Sequence, residues 1–567
     1  MHQGLLKKVV LPLMSSAAFG LVVYTSIHHL PGVRAADQAA VPGEQTSRPS
    51  EAAAPRLPAA SDTSGRTEGR AAYATDPLFA KVIEKAEKAA DSAYKAPAEI
   101  PAFMQDLAYQ DYQNIRFNPD KSLWKDRNLP FQMMFIPPGL FYQHSVKINI
   151  VENGQQKPLS FQREWFSFSD PELEKKVPHD LGYAGFKLTH PINRSDIQDQ
   201  FMVFAGASYF RAVAAGNAWG ISARGIAVNT GLPRGEEFPS FTEYWMEPPA
   251  ADAKSMTVYA LLDGPSISGA YKFVITPGER TVIKVQNVLF PRKDIELLGV
   301  APLTSMYFYG ENMTRPTGEW RPEVHDSDGL LIQDRLSGEW LWRPLLNPQT
   351  LEMDYFKTDN IGAFGLIQRA DDFDEFRDME AHYEKRPSMM VRPVEGWGKG
   401  SIVLTQLPTD NETNDNIVAF WKPGQPVKAG SEFSFAYDVI VGSNDIEDID
   451  TGKARHTFVG DGNRIGGGDT KGAYRFIVDF EGGALSELGS DAKVLSQVSA
   501  FNGAELIEHY VQYNPTTKQW RLSILAKPAA NQSLNLRAYL KREDDNAALT
   551  ETWTYRLPWN NTILDNK

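Results

Sequence analysis

Val258-Tyr259-Ala260-Leu261-Leu262-Asp263-Gly264, followed by Tyr271-Lys272-Phe273-Val274-Ile275, Pro277-Gly278 and Thr281-Val282-Ile283-Lys284-Val285-Gln286, carries the pattern that decides the fold. Val258, Ala260 and Leu262 alternate ahead of Asp263-Gly264, and the next two runs are joined across Pro277-Gly278. Side chains of a strand point to opposite faces in turn, so a period of two closed by tight turns reads as a meander of hairpins. Upstream, Val146, Ile148 and Ile150 alternate ahead of Asn153-Gly154 in the same way. Strands separated by turns this closely imply stacked antiparallel sheets with few helices, an all-β fold class. The period differs at the start of the folded sequence. Asp76-Pro77 forms an N-cap and first-turn pair, and Phe79, Val82, Ile83 and Ala86 then recur at helical spacing. One helix is expected there, ending before Pro97.

Towards the carboxyl end, Gly442-Ser443-Asn444-Asp445 and the Gly-rich segment 460–468 interrupt the strand-like chain and suggest a boundary. Beyond it Tyr474, Phe476, Val478 and Phe480 alternate, as do Leu534, Leu536 and Ala538, and Trp553 and Tyr555. That spacing suits a small immunoglobulin-like sandwich without the Cys pair of antibody domains. The amino end has Lys7 and Lys8, an apolar segment over residues 9–27 broken by Pro12 and Ser15-Ser16, and Val33-Arg34-Ala35 as a cleavage site. The expected organisation is a signal peptide or anchor over 1–35 and a disordered linker over 36–72. A large β-sandwich domain over 73–445 and the small sandwich over 446–567 follow. The linker is rich in Ala, Pro, Ser, Thr and Gly and has too little apolar surface to offset the entropy of ordering. No twin-arginine pair is present, which points to the general export route.

The chain of 567 residues exceeds one ordinary core. Its 58 basic and 71 acidic side chains leave a net charge of −13, which repels nucleic acid and anionic membrane and favours a neutral or cationic ligand. Cysteine is absent, which excludes disulfides, thiol nucleophiles and Cys-ligated metals. No metalloprotease, P-loop, dinucleotide-binding or nucleophile-elbow motif occurs. Ten His, His28 and His29 among those in the export segment, give a metal site little material, so no metal is assigned.

Two acidic stretches stand out. In residues 408–421 Asp410, Glu412 and Asp415 alternate with Asn411, Asn414 and Asn416, with no cation among them, ahead of Ile417-Val418-Ala419-Phe420-Trp421. Clustered like charges raise the pKa of one member and suit it to general-acid work; the same residue types also suit a solvated turn. A calcium loop counted from Asp410 would need Gly and Glu where Asp415 and Trp421 stand. The second stretch is Glu323-Val324-His325-Asp326-Ser327-Asp328-Gly329. Close behind it, Trp340 and Trp342 would share one face of a strand, either as a sugar-stacking platform or as sandwich core. Glu395-Gly396-Trp397-Gly398-Lys399-Gly400 offers close backbone approach for a ligand. Two acids from separate loops with aromatics around them suit hydrolysis of a neutral polysaccharide.

These motifs resemble the osmoregulated periplasmic glucan biosynthesis proteins of the G and D type, from about Tyr73 to Thr562. The most specific stretches are Gly206-Ala207-Ser208-Tyr209-Phe210-Arg211, Gly220-Ile221-Ser222-Ala223-Arg224-Gly225 and Gly235-Glu236-Glu237-Phe238-Pro239. To these add Gly299-Val300-Ala301-Pro302-Leu303-Thr304-Ser305-Met306, Arg321-Pro322-Glu323-Val324-His325-Asp326-Ser327, residues 338–344 and Glu412-Thr413-Asn414-Asp415-Asn416. The resemblance implies a galactose-mutarotase-like β-sandwich followed by an immunoglobulin-like domain. It implies exported, cofactor-free, endo-acting and inverting hydrolysis of β-1,2-linked glucan made by the inner-membrane glucan glucosyltransferase. The family's general acid falls on Asp415 and its base on Asp326, with protons passing through intervening hydroxyls or waters.

By residue type within the matching motifs, Tyr209, Arg211, Arg224, Glu237, Trp245, His325, Trp340, Trp342, Arg343, Trp397, Glu412 and Trp421 are expected to line the sugar groove. The other function class that fits is a non-catalytic glucan-binding or assembly partner of the glucosyltransferase. Oligomeric state is left open, a homodimer included. Lack of a twin-arginine signal leans towards the G type.

Overall fold

The computed structural model describes residues 73–560 apart from 74, 444–445, 448 and 463–469, so the expected export signal and linker, and most of the 460–468 segment, lie outside the described residues. The expected helix is Pro77–Ala90. The Asp76 carboxylate accepts from the Leu78 and Phe79 amides at 3.1 Å each, satisfying two first-turn donors that have no helical partner. Its apolar stripe of Phe79, Val82, Ile83 and Ala86 packs on Trp245, Tyr259 and Val288 of the sheet below.

The alternating runs form the strands expected of them. Met256–Asp263, Ile267–Thr276 and Thr281–Pro291 pair antiparallel in chain order. Lys147–Glu152 turns back into Gln155–Pro158 through Asn153 and Gly154, both at positive φ (51° and 74°), as a two-residue turn between twisted strands requires. They belong to a 14-stranded sheet, which faces a 10-stranded sheet across the main core. The protein is therefore an all-β sandwich.

The carboxyl-terminal part does not stand apart from it. Lys453–Asp461, Tyr474–Glu481, Gln519–Lys527 and Glu505–Asn514 make a four-stranded sheet. Val494–Phe501, Leu534–Arg542 and Thr552–Leu557 instead extend the 14-stranded sheet, through parallel pairing of Leu341 with Thr552 and Trp342 with Trp553. The second core accordingly mixes Phe476, Leu522 and Trp553 with Leu331, Trp342, Ala363 and Met390. One long sheet serves both cores.

The strand that positions the site is Leu298–Ser305, central in the 10-stranded sheet and buried along its whole length. Pro302 cannot donate to the ladder. The register with Ile417–Pro423 slips between Val300 and Leu303, and Ala301 takes φ 49° there. Such a bulge bends a strand and re-aims the residues beyond it.

Candidate active site

Just past the bulged strand lies the segment 305–307, to which two distant acidic loops are fastened. On one side the Asn416 side chain acts as a short piece of strand. Its Oδ1 accepts from the Tyr307 amide at 2.8 Å, while its Nδ2 donates to the Tyr307 carbonyl at 3.0 Å and the Leu407 carbonyl at 3.0 Å. This places Asp415, the preceding residue, next to the end of the strand. On the other side Tyr307–Tyr309 pairs with Val324–His325, the Asp326 amide donates to the Met306 carbonyl at 2.8 Å, and the Ser305 and Ser327 hydroxyls lie 2.8 Å apart. Asp326 and Asp415, 89 positions apart by their residue numbers, are thus anchored to three consecutive residues.

The two carboxylates differ in setting. Asp326 has a side chain only 6% exposed and is ion-paired with the guanidinium of Arg386, which lies over the Tyr383 ring at 4.1 Å. Burial pushes its carboxyl above the ordinary value, Arg386 works against that, and the charge of Asp415 adds to it. That last interaction puts the two acids within electrostatic reach of each other. Asp415 is 20% exposed, with Arg211 Nη2 3.4 Å from its Oδ2. The cation-free cluster expected from the sequence is therefore corrected: Arg211 reaches Asp415, and Arg321 Nη1 lies 2.6 Å from Glu412 Oε2. Both cations come from other strands and loops, and the like-charge argument for a protonated Asp415 loses its premise.

Tyr209–Ala212 alternates half-buried and buried, so Tyr209 and Arg211 share the open face while Phe210 and Ala212 enter the core. Tyr209 pairs across the ladder with Arg224, whose guanidinium lies 4.7 Å from the Tyr209 ring centroid. Arg224 is fixed by Thr304 Oγ1 at 2.9 Å and Glu236 Oε1 at 2.6 Å. Burial pushes the Tyr209 phenol up to about 12, the Arg224 charge opposing. Tyr209, Arg211, Arg224, Glu412, Asp415 and Asp326 are thus linked in one acid-and-arginine cluster.

The remaining expected groove residues are elsewhere, and each is corrected for a packing reason. Trp421 is fully buried; a Cβ on Gly400 would overlap its Cζ2, so that glycine makes room for an indole and not for a ligand. Trp397 packs edge-on against Phe435 and Tyr437. Trp245 lies beneath the amino-terminal helix, with the Lys85 ammonium 5.1 Å from its ring. Trp340 and Trp342 do face one way, but into the second core, where Arg369 covers the Trp342 ring at 3.7 Å. Arg343 is buried against Asp354 at 2.7 Å, and Glu237 accepts from the Ser266 amide at 2.8 Å.

His325 engages a separate knot of side chains. Its Nε2 lies 2.8 Å from Glu323 and 3.4 Å from Asp328, and its Nδ1 lies 3.0 Å from Gln368. Burial opposes the imidazolium, but the charge of Asp328 and the hydrogen bond and charge of Glu323 outweigh it and push the ring up to about 9. Glu323, His325 and Asp328 put donor atoms within 4.8 Å of one another, as a metal site would. Those atoms are already engaged: Asp328 also takes the Arg369 and Ala370 amides.

Sequence reasoning missed Arg386, Tyr383, Arg321, Thr304 and Glu236 as site residues. Arg321, Thr304 and Glu236 stand within the quoted motifs without a signal that sets them apart, and Arg386 lies 60 positions from the acid it holds. A cleft of about 380 Å³ lined by Arg234, Glu296, Lys422 and Lys428 includes neither acid. Among the described residues no helix is long and apolar enough to cross a membrane.

Fold and site together define a β-sandwich protein with a cluster of carboxylates, arginines and a tyrosine at the end of its central strand. The chain belongs to the family of the periplasmic glucan biosynthesis protein MdoG, which it matches over residues 78–557.

Proposed function

We propose that this protein is an inverting, endo-acting β-1,2-glucanase that cuts the backbone of periplasmic glucans, with Asp415 as general acid and Asp326 as general base. The observation that carries the reading is the anchoring of both acid loops to residues 305–307, with each carboxylate within electrostatic reach of the other. Inversion needs one carboxylic acid at the departing oxygen and one carboxylate that activates water from the opposite face. Arg386 favours the ionised form of Asp326, while burial makes that carboxylate a stronger proton acceptor than a solvated one. Because Asp326 lies deep, the proton of the attacking water reaches it through an intervening hydroxyl or water. Under this reading the glucan chain lies in a trench past Asp415, the more exposed of the two acids. Tyr209, Arg211 and Arg224 supply hydrogen bonds to sugar hydroxyls. No step calls for a cofactor.

Purified protein is expected to release new reducing ends from linear β-1,2-glucan, and Asp415→Asn to lower that rate roughly 10²–10⁴-fold with an unchanged circular dichroism spectrum. The competing reading, a non-catalytic glucan-binding or assembly partner of the glucosyltransferase, is favoured by one feature: each acid already rests on an arginine. Saturable glucan binding without any new reducing ends, between about pH 4 and 8, would decide for it.

A further inference from the structure

Trp320 is 63% exposed, among the most exposed large apolar side chains of the described residues, yet its backbone is firmly held. The Glu319 carboxylate accepts from the Trp320 amide at 2.9 Å and the Arg321 amide at 3.2 Å. Arg321 returns to Glu319 as a fork, Nε to Oε1 at 3.0 Å and Nη2 to Oε2 at 2.8 Å. Its Nη1 donates to Asp378 at 3.1 Å and lies 2.6 Å from Glu412. One guanidinium, 13% exposed, therefore ties together three carboxylates from three segments. Glu412 belongs to the loop that carries Asp415, three residues on. Met379, 77% exposed, follows Asp378, the second carboxylate of the clamp.

We propose that Trp320 is the stacking platform of a glucan subsite beside the acid loop, with the Arg321 clamp setting its position relative to Asp415. This deepens the glucanase reading and rests on it for the ligand. An indole on a mobile loop would be an ordinary exposed residue; here the backbone is fixed before anything binds, so little ordering entropy remains to be lost. The Arg321 guanidinium lies 6.0 Å from the Trp320 ring centroid, so the clamp sits beside the indole. A flat apolar face next to polar groups matches a pyranose, which offers a face of C–H groups and a rim of hydroxyls. Anionic partners are disfavoured by the three carboxylates gathered on Arg321 and by the net charge of −13.

The test uses the full chain and linear β-1,2-glucan, with affinity measured by calorimetry in an Asp415→Asn background so that the ligand stays intact. Trp320→Ala is expected to weaken binding about ten-fold, and Trp320→Phe to recover most of the loss. With Asp415 restored, Trp320→Ala should raise KM and leave kcat within about two-fold. Trp559, equally exposed at 63% but beyond strand Thr552–Leu557, serves as the control, and Trp559→Ala should change nothing. Unchanged glucan affinity in Trp320→Ala overturns the platform, and so does an equal loss in Trp559→Ala. A wild-type chain that binds glucan without cutting it removes the hydrolase reading and leaves the platform standing on the affinities. A wild-type chain that does not bind glucan removes both.

Discussion

Asp326 and His325 are neighbours in sequence, yet they belong to two different kinds of acidic cluster. His325 closes a knot with Glu323, Asp328 and Gln368 in which a fully buried imidazolium is held by two carboxylates that lie within three residues of it in sequence. Asp326 joins the proposed trench, in which each acid is answered by an arginine from a remote segment. A buried cation held by its sequence neighbours contributes rigidity, whereas an acid paired with a remote arginine can exchange that partner for a ligand. Residue type and spacing are alike in the two; the number of carboxylates in a stretch says little about which of them does chemistry.

The largest expected effect separates the two clusters by activity. Asp326→Asn should keep a hydrogen bond to Arg386 and lose roughly 10²–10⁴-fold in glucan hydrolysis, while His325→Gln should stay within a few-fold per folded molecule. A comparable loss in both would merge knot and trench into one functional unit. Stability should show the reverse. Folding raises the imidazole from its ordinary 6.5 to about 9, so its contribution is fully present below about pH 6.5 and is lost as pH rises through about 9. The size is on the order of 3 kcal/mol, and His325→Gln should flatten that part of the denaturation-midpoint profile. Glu311 acts in the same direction at lower pH: burial pushes it from 4.5 up to about 7, so the folded form again holds the extra proton.

A smaller effect tests the cation behind the trench. Arg386 holds the Asp326 carboxyl down against burial, so Arg386→Gln should move the acid limb of the kcat/KM profile up by about 1–3 units. A limb that stays in place would mean that Asp326 is not the titrating base. The smallest effect concerns the core. Trp421→Phe removes no hydrogen bond, since its Nε1 has no partner, and should cost about 1–2 kcal/mol of stability with KM for glucan unchanged. Weaker glucan binding in this variant would return Trp421 to the groove and blur the contrast with Trp320.

Several elements were legible from composition and period. The Asp76-Pro77 cap and its apolar stripe specified the helix, and the Asn153-Gly154 turn specified its hairpin, because both signals are local and act through backbone geometry. Tryptophans were not assignable. The same indole serves a core or a sugar groove, and Trp340 and Trp342 met the alternation test for a shared face while that face turned inward. Trp320 escaped notice for the opposite reason: nothing adjacent to it in sequence marks it as held and exposed.

By itself the sequence determined an all-β sandwich, one amino-terminal helix and the two loops that bear the acids, since strand period, caps and turn chemistry are properties of a few consecutive residues. Only the tertiary structure decided that those loops meet at residues 305–307, that Asp326 and His325 diverge, and which arginine answers which acid. Coulomb and hydrogen-bond partners are chosen by distance in space, and the pairing of strands in a sheet sets that distance without regard to separation along the chain.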